Sequence, residues 1–355
     1  MQLRAALNRL VPAIWIRRGF LAYALLPLSL LYIGITALRR HLYRVGIFES
    51  KRVNAVVIVV GNVVAGGAGK TPTVIEIVKF FQQRKIRVGV VSRGYGRKSS
   101  ACEEVHPNAS AYTSGDEPKL IQSVTGVPVF VAAQRYLGAV ALLAKYPDIR
   151  VIVCDDGLQH YELCRDIEVC VFDDRGLGNG WLMPSGPLRE NWPRNPVLEA
   201  GQLNDRLLIL HTGQHPQFAG FRASRNLSGT LKRVDGVSIS VAEFLKSNEK
   251  PLLAIAGIAQ PEIFFRMLRM MGIPIVQTMA LPDHSDFHEL SLHKLENFQL
   301  ICTEKDAYKL WETQPDALAI PLEQHSEPDF FAYLDTCMNA LLEAKLSSPH
   351  GHETT

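Results

Sequence analysis

An apolar run, Val56–Val60, leads straight into Gly61-Asn62-Val63-Val64-Ala65-Gly66-Gly67-Ala68-Gly69-Lys70-Thr71. Small residues let successive backbone N–H groups converge on phosphate oxygens, and a helix opening at the end of such a loop adds the positive end of its dipole. In that chemistry Val64, Ala65, Gly66, Gly67, Ala68 and Gly69 form a cradle. Lys70 reaches the β- and γ-phosphates of a nucleotide, and Thr71 offers a hydroxyl to Mg2+. The spacing GxxxxGK[ST] would put its first glycine at position 64, where this chain has Val64. Gly66 and Gly67 supply the flexibility instead. The plainer reading is a glycine-rich turn, but GGxGKT directly after an apolar strand favours nucleotide binding.

Two acidic pairs could serve a phosphoryl transfer. Val151–Cys154 is apolar and ends in Asp155-Asp156, the pattern by which such folds hold Mg2+ directly or through water. Two aspartates at a turn are the bland alternative. The second pair is Asp116-Glu117, in Ser114-Gly115-Asp116-Glu117-Pro118. One of these carboxylates could orient or deprotonate an attacking hydroxyl. Both could equally be ordinary first-turn residues of a helix, and spacing alone does not choose. Among the histidines, Pro282-Asp283-His284-Ser285-Asp286-Phe287-His288 has two at i and i+4, but it lacks the glutamate of HExxH and reads as a loop, so a zinc site is not expected. His160 is more suggestive, because it follows the acidic strand end by a few residues.

The elements that must position these residues follow from hydrophobic pattern. Short β-branched runs alternate with helical stretches from residue 53 onward. Strands are expected at Val56–Val60, Arg87–Val91, Val127–Ala132, Val151–Cys154 and Ile167–Phe172, and helices at 71–84, 118–124 and 134–145. Continuous apolar strands separated by helices predict a buried parallel sheet, which places ligands at the carboxyl ends of its strands. Residues 174–196 are irregular and rich in Gly, Pro, Asn and Arg, a length that is more often functional than idle. Residues 220–245 read as a short antiparallel pair joining two domains. Strand–helix alternation then resumes: strands at Leu252–Ala256, Ile275–Met279 and Gln299–Thr303, helices at 261–271 and 330–345.

Composition limits the rest. The chain has 355 residues, 47% hydrophobic and 21% charged, which excludes a disordered chain and suggests two domains at about 100–200 residues each. Six cysteines without a CxxC pair read as reduced thiols. The net charge of +3 hides an asymmetry: residues 1–52 carry +8 and the remainder −5. That argues against nucleic acid as a partner and for a local anionic target such as a membrane surface. Between Arg17-Arg18 and Arg39-Arg40 lie 19 residues without a charge, Phe20–Leu38. As one helix they would measure roughly 28 Å, close to a bilayer's hydrocarbon thickness. Spanning the bilayer and lying in its interface are both open, Pro27 weakening the first and Trp15, Tyr23 and Tyr32 suiting the second. A helical hairpin buried in the soluble domain is the remaining alternative.

The motifs occur in one order: AGGAGKTP (65–72), SRGYGR (92–97), GDEP (115–118), AQR (133–135), DDGLQH (155–160), RD (165–166), MPSGPLRE (183–190), PDH (282–284) and TEKDA (303–307). With the apolar N-terminal segment they closely resemble the tetraacyldisaccharide 4′-kinase family, the lipid A kinases of Gram-negative bacteria, over roughly residues 15–335. The resemblance implies transfer of the γ-phosphate of ATP, with Mg2+, to the 4′-hydroxyl of a tetraacyldisaccharide 1-phosphate, giving lipid IVA. It implies an α/β fold: a P-loop NTPase-type parallel-sheet domain, a second smaller α/β domain and an N-terminal membrane-associated helix. It implies an enzyme at the cytoplasmic face of the inner membrane, peripheral or monotopic. Carried over by motif, Asp116 is the catalytic base, His284 its partner and Lys70 a third catalytic residue. Glu117, Asp155 and Asp156 act around Mg2+. Arg135, His160 and Arg189 lie near the glycolipid head group. TEKDA matches without an assigned role.

The expected organisation is a membrane-associated segment 1–45, a P-loop kinase domain 46–220, a two-stranded linker 221–248, a C-terminal α/β domain 249–346 and a tail 347–355. The partners expected are the glycolipid and a membrane surface, with no obligate protein partner. The alternative is a membrane-associated P-loop GTPase or ATPase that serves a protein partner. A GTPase would want NKxD after a strand, and Glu304-Lys305-Asp306 matches it only loosely.

Overall fold

The computed structural model describes residues 14–97, 99–193, 206–287 and 295–346. The expected tail 347–355, the first 13 residues, His288 and residues 194–196 of the irregular segment lie outside the described residues. The chain forms two compact units. The first comprises residues 1–92, 134–224 and 326–355, and the second 93–133 and 225–325.

The first unit is built on parallel strands. Val56–Gly61 lies between Val151–Asp155 and Ile167–Phe172, and every residue of these three strands is buried. Val88–Ser92 pairs with Val151–Asp155 on one side; Leu207–His211 pairs with Ile167–Phe172 on the other and with the start of Phe221–Leu227. All these pairings are parallel, as the unbroken Val/Ile runs predict for strands covered on both faces. Among the described residues, the strands Leu207–His211, Leu318–Ile320 and Leu322–Ser326 and the two-residue Glu103–Glu104 were not expected. The helix Lys70–Gln83 buries Val74, Ile77, Val78 and Phe81. Pro328–Leu346 returns to this unit, where Phe331 stacks on Phe80 and Arg84 pairs with Asp335.

The charge-free N-terminal stretch is not one helix. It divides into Phe20–Ala24 and Leu26–Arg44. Pro27, in the first turn of the second helix, has no N–H to give a preceding turn, so the first helix ends before it. The second helix then runs on past Leu38 through Arg39, Arg40 and Arg44. Among the described residues no helix is long and apolar enough to cross a membrane. The helix has two unlike faces. Ser29, Tyr32, Ile33 and Thr36 face the protein, while Leu28, Leu31, Ile35 and Leu38 face outward at the same helical spacing. Ser29 is 1% exposed and the adjacent Leu30 is 65% exposed. The Ser29 hydroxyl donates to the Leu182 carbonyl at 3.0 Å and Ser185 N–H donates back to it at 2.9 Å.

The second unit holds a six-stranded sheet. In it Leu252–Ala256 lies between the parallel strands Ile275–Ala280 and Gln299–Thr303, and Leu318–Ile320 continues the parallel run beside Gln299–Thr303. Thr230–Lys232 and Ser238–Ser240 complete it as an antiparallel pair. Phe264, Phe265 and Leu268 cover one side of this sheet, Phe287, Leu295 and Leu310 the other. The helices Asp116–Thr125 and Glu304–Leu310 pack together.

Candidate active site

The phosphate loop leaves the carboxyl end of the central strand Val56–Gly61, and Val60 stands in register with Asp155 of the neighbouring strand. Gly61 admits no side chain, because a Cβ there would lie 2.6 Å from Leu158. Gly66 (φ 96°) and Gly69 (φ 89°) take the left-handed turns of the loop, which is why the absence of a glycine at 64 is tolerated. Side chains grip the outer rim of the loop. Arg175 donates to the carbonyls of Ala65 (3.1 Å) and Gly67 (2.9 Å), Asn62 to that of Gly66 (3.1 Å), and Thr212 to that of Ala68 (3.0 Å). A planar trans peptide sets its N–H opposite its carbonyl, so holding these four carbonyls also fixes the directions of the N–H groups of residues 66–69. Asp173 in turn holds the Arg175 guanidinium at 2.8 Å.

Lys70 donates to Asn62 Oδ1 at 3.3 Å and stands 3.8 Å from Asp156 Oδ1. Arg189 Nη1 reaches both oxygens of Asp156, at 2.9 and 3.1 Å. Burial raises the Asp156 carboxyl, but Lys70 and Arg189 outweigh it and hold it below the usual carboxylate range. Gln159 donates to Glu190 at 2.7 Å, a second side-chain contact between DDGLQH and PLRE. Arg189 N–H also bonds the Val63 carbonyl, and Ala65 N–H that of Pro187. The structure thus brings Lys70, Asp156 and Arg189 together. Asp155 is buried and accepts from Ser92 at 3.4 Å. Arg135 is 2% exposed and gives its Nη2 to the carbonyls of Asp155 and Asp156. His160 lies half-buried in the same loop, its carbonyl held by Arg165. Thr71 is on the first turn of the Lys70–Gln83 helix, partly exposed.

Mg2+ takes hard oxygen donors and keeps waters and phosphate oxygens in most positions, so one or two carboxylates suffice. Asp155, Asp156 and the Thr71 hydroxyl are a donor set of that kind. Among the described residues no group of three or more His, Cys, Asp or Glu stands ready to cage a metal alone.

The remaining expected residues lie in the second unit. Asp116 opens the helix Asp116–Thr125 after Gly115, whose φ of 91° and close approach to Gly94 (3.0 Å from a would-be Cβ) demand glycine. That contact seats the SRGYGR loop beside Asp116. His284 Nδ1 is 2.9 Å from Asp116 Oδ2, and its Nε2 is 3.5 Å from Glu117 Oε1. The Tyr95 ring covers the imidazole, with centroids 4.9 Å apart. Lys309 Nζ lies 2.8 Å from Asp116 Oδ1, and Lys305 Nζ lies 2.7 Å from Glu117 Oε1 and 3.3 Å from Asp283. Burial raises the Asp116 carboxyl, yet the bonds from His284 and Lys309 outweigh it and hold it low. Burial lowers His284, but Asp116 and Glu117 prevail and raise it, favouring the imidazolium. A carboxylate held ionised and oriented in this way can accept a proton from a hydroxyl.

A family profile described as LpxK, tetraacyldisaccharide-1-P 4′-kinase, matches residues 21–339. The chain belongs to this family. It is 51% identical over 346 residues to a tetraacyldisaccharide 4′-kinase of Polaromonas naphthalenivorans, covering 96% of this chain and 98% of that protein. It is 50% identical over 329 residues to the enzyme of that name from Acidovorax sp. (strain JS42), covering 92% and 94%. The crystal structure of LpxK from Aquifex aeolicus, solved with ATP, superposes with a TM-score of 0.74 at 28% identity, covering 91% of this chain and 99% of that one.

Within the family frame, four residues were not singled out as site residues by sequence reasoning: Asn62, Arg175, Lys305 and Lys309. Asn62 was visible as part of the glycine-rich run. Arg175 lay in the irregular segment with nothing to distinguish it from other arginines there. Lys305 stood in the TEKDA motif without a role, and Lys309 follows it at a spacing of four on a helix, which puts both ammonium groups on one face.

Proposed function

We propose that this chain transfers the γ-phosphoryl group of ATP to the 4′-hydroxyl of a tetraacyldisaccharide 1-phosphate, the lipid A precursor step that yields lipid IVA. Membership of the family carries the reaction class. The observation that carries the chemistry is the Asp116 carboxylate, buried and held on one oxygen by His284 and on the other by Lys309. A sugar hydroxyl is a poor acid. Asp116 accepts its proton as the oxygen attacks the γ-phosphorus and the bond to the bridging oxygen of ADP breaks. His284 orients that carboxylate and stabilises its charge. The N–H groups of the phosphate loop and Lys70 meet the charge that spreads over the transferring group.

Thr71, Glu117, Asp155 and Asp156 are the residues that would act around Mg2+. The ion supplies further neutralisation of phosphate charge. Arg189 suits a phosphate or hydroxyl of the head group by bidentate contact. Arg135, buried against the strand end, supports the Asp155–Asp156 turn through its bonds to both carbonyls, and His160 is a residue for the glycolipid head group.

The outward face of Leu26–Arg44 lies in the membrane interface, its Leu and Ile residues in the acyl region and Arg39, Arg40 and Arg44 near anionic head groups. Its N-terminal partner, Phe20–Ala24, lies along the same surface. The enzyme is thus a peripheral or monotopic protein of the cytoplasmic face of the inner membrane. The test is incubation with γ-labelled ATP and purified disaccharide 1-phosphate. Label in the 4′-position of the lipid supports the reading; rapid ATP or GTP hydrolysis with no label in lipid would favour a nucleotidase that serves a protein partner.

A further inference from the structure

The TEKDA motif has no part in the chemistry as set out above, yet its helix is fastened to the site with unusual care. Thr303 caps the helix by accepting from Asp306 N–H at 3.2 Å, and its own hydroxyl donates to Asp306 Oδ2 at 2.7 Å. Asp306 Oδ2 also accepts from Gly257 N–H at 3.0 Å. Gly257 follows the strand Leu252–Ala256, and its carbonyl accepts the N–H of His284 at 3.1 Å. One residue after one strand therefore ties the TEKDA helix through its N–H and the histidine through its carbonyl. A Cβ at 257 would lie 3.1 Å from Asp306 Oδ1, a tight contact.

From this fixed base the helix extends two lysines on one face. Lys305 meets Glu117, and Lys309, one turn on, meets Asp116. Lys309 is 7% exposed, and its ammonium also lies 5.2 Å from the Tyr112 ring centre. An ammonium buried beside a carboxylate is an expensive feature unless the geometry is used. Here the two oxygens of Asp116 are divided: Oδ1 goes to Lys309 and Oδ2 to His284. With both held, the carboxylate plane cannot turn.

We propose that Lys309 is a positioning residue for the transfer, acting through Asp116: it fixes Oδ1 so that the carboxylate presents one set of lone pairs to the acceptor hydroxyl. The TEKDA helix is the strut that carries it. This rests on the reading of Asp116 as the base and adds a residue to it.

The test is a double-mutant cycle on the full-length enzyme in detergent–lipid micelles, read as label transferred from ATP to lipid. Lys309→Met is expected to lower kcat roughly tenfold or more with the KM for ATP unchanged, and Lys309→Arg to recover most of the loss. In an Asp116→Ala background the same Lys309→Met change is expected to cost almost nothing, because the group it orients is gone. If Lys309→Met lowers kcat by the same factor in both backgrounds, its role is structural and the inference fails. It also fails if Lys309→Met is as active as the parent while Asp116→Ala is inactive. If Asp116→Ala keeps full activity, the reading of Asp116 as the base falls, and this inference with it. Should Lys309→Met not fold, Lys309→Gln, which keeps an N–H donor but no charge, enters the same cycle with the same criteria.

Discussion

Nδ1 of His284 lies 2.9 Å from Oδ2 of Asp116, across 168 residues of sequence. Both belong to the second unit, one on the loop after the strand Ile275–Ala280, the other opening a helix. His284 adopts a left-handed backbone, φ 61°, which a non-glycine residue holds only at a cost of about 1–2 kcal/mol. The bond from its N–H to Gly257 and the ion pair with Asp116 offset that cost. Replacement by alanine removes the carboxylate's partner and leaves the phosphate loop untouched. His284→Ala should lower kcat by about a hundredfold or more, with little change in the KM for ATP, measured by label transfer. A loss confined to ATP binding would contradict the assignment.

The phosphate loop makes a separate prediction. Arg175 holds two of its carbonyls and Lys70 offers its charge to phosphate. Lys70→Ala should nearly abolish transfer. Arg175→Ala should weaken ATP binding by about tenfold through loss of loop order, since two charge-assisted hydrogen bonds go with it. Nucleotide titration by fluorescence or calorimetry checks both.

The two faces of the helix Leu26–Arg44 should respond differently. Leu31→Glu with Ile35→Glu places charge on the outward face; it should reduce co-sedimentation with anionic vesicles while activity on detergent-dispersed lipid is kept. Ser29→Val removes a buried hydroxyl that serves Leu182 and Ser185, and should destabilise the fold by about 1–3 kcal/mol. Thermal melts and vesicle sedimentation on the same variants distinguish the two effects.

Asp306 gives a pH dependence. Burial pushes its carboxyl up to about 6, against the pull of Thr303, Gly257 N–H and Lys305. The folded state therefore binds this proton more tightly than the unfolded chain. Its stabilising contribution is full below about pH 4 and is lost as pH rises toward 6. Asp306→Asn removes the titration. The melting temperature of the parent should fall relative to that of the variant between pH 4 and 6; parallel curves would show that Asp306 does not titrate there.

Much of this was written in local pattern. The strands Val56–Gly61, Ile167–Phe172 and Leu252–Ala256 are runs that no helix period could explain, and the phosphate loop is a contiguous motif. Leu207–His211 was missed because only four apolar residues, Leu207–Leu210, stand between a polar loop and a second loop. Pro27 marked the break in the N-terminal helix, but the apolar run around it suggested continuity. At the site, Asp116 and His284 could be named by motif, whereas their contact could not be read from spacing. Arg175 and Lys309 escaped because their meaning lies in partners far along the chain: a carbonyl at 65 and a carboxylate at 116 are not written into the neighbours of either residue. Arg135 was named by motif as a head-group residue, but its bonds to the carbonyls of Asp155 and Asp156 could not be read from the residues around it.

The most direct test is Asp116→Ala, with phosphoryl transfer and ATP affinity measured on one preparation. Transfer should fall by about a thousandfold or more while ATP affinity stays within about twofold, because a base acts in the transition state. Turnover near that of the parent, or a fall in rate matched by an equal fall in ATP affinity, would contradict it.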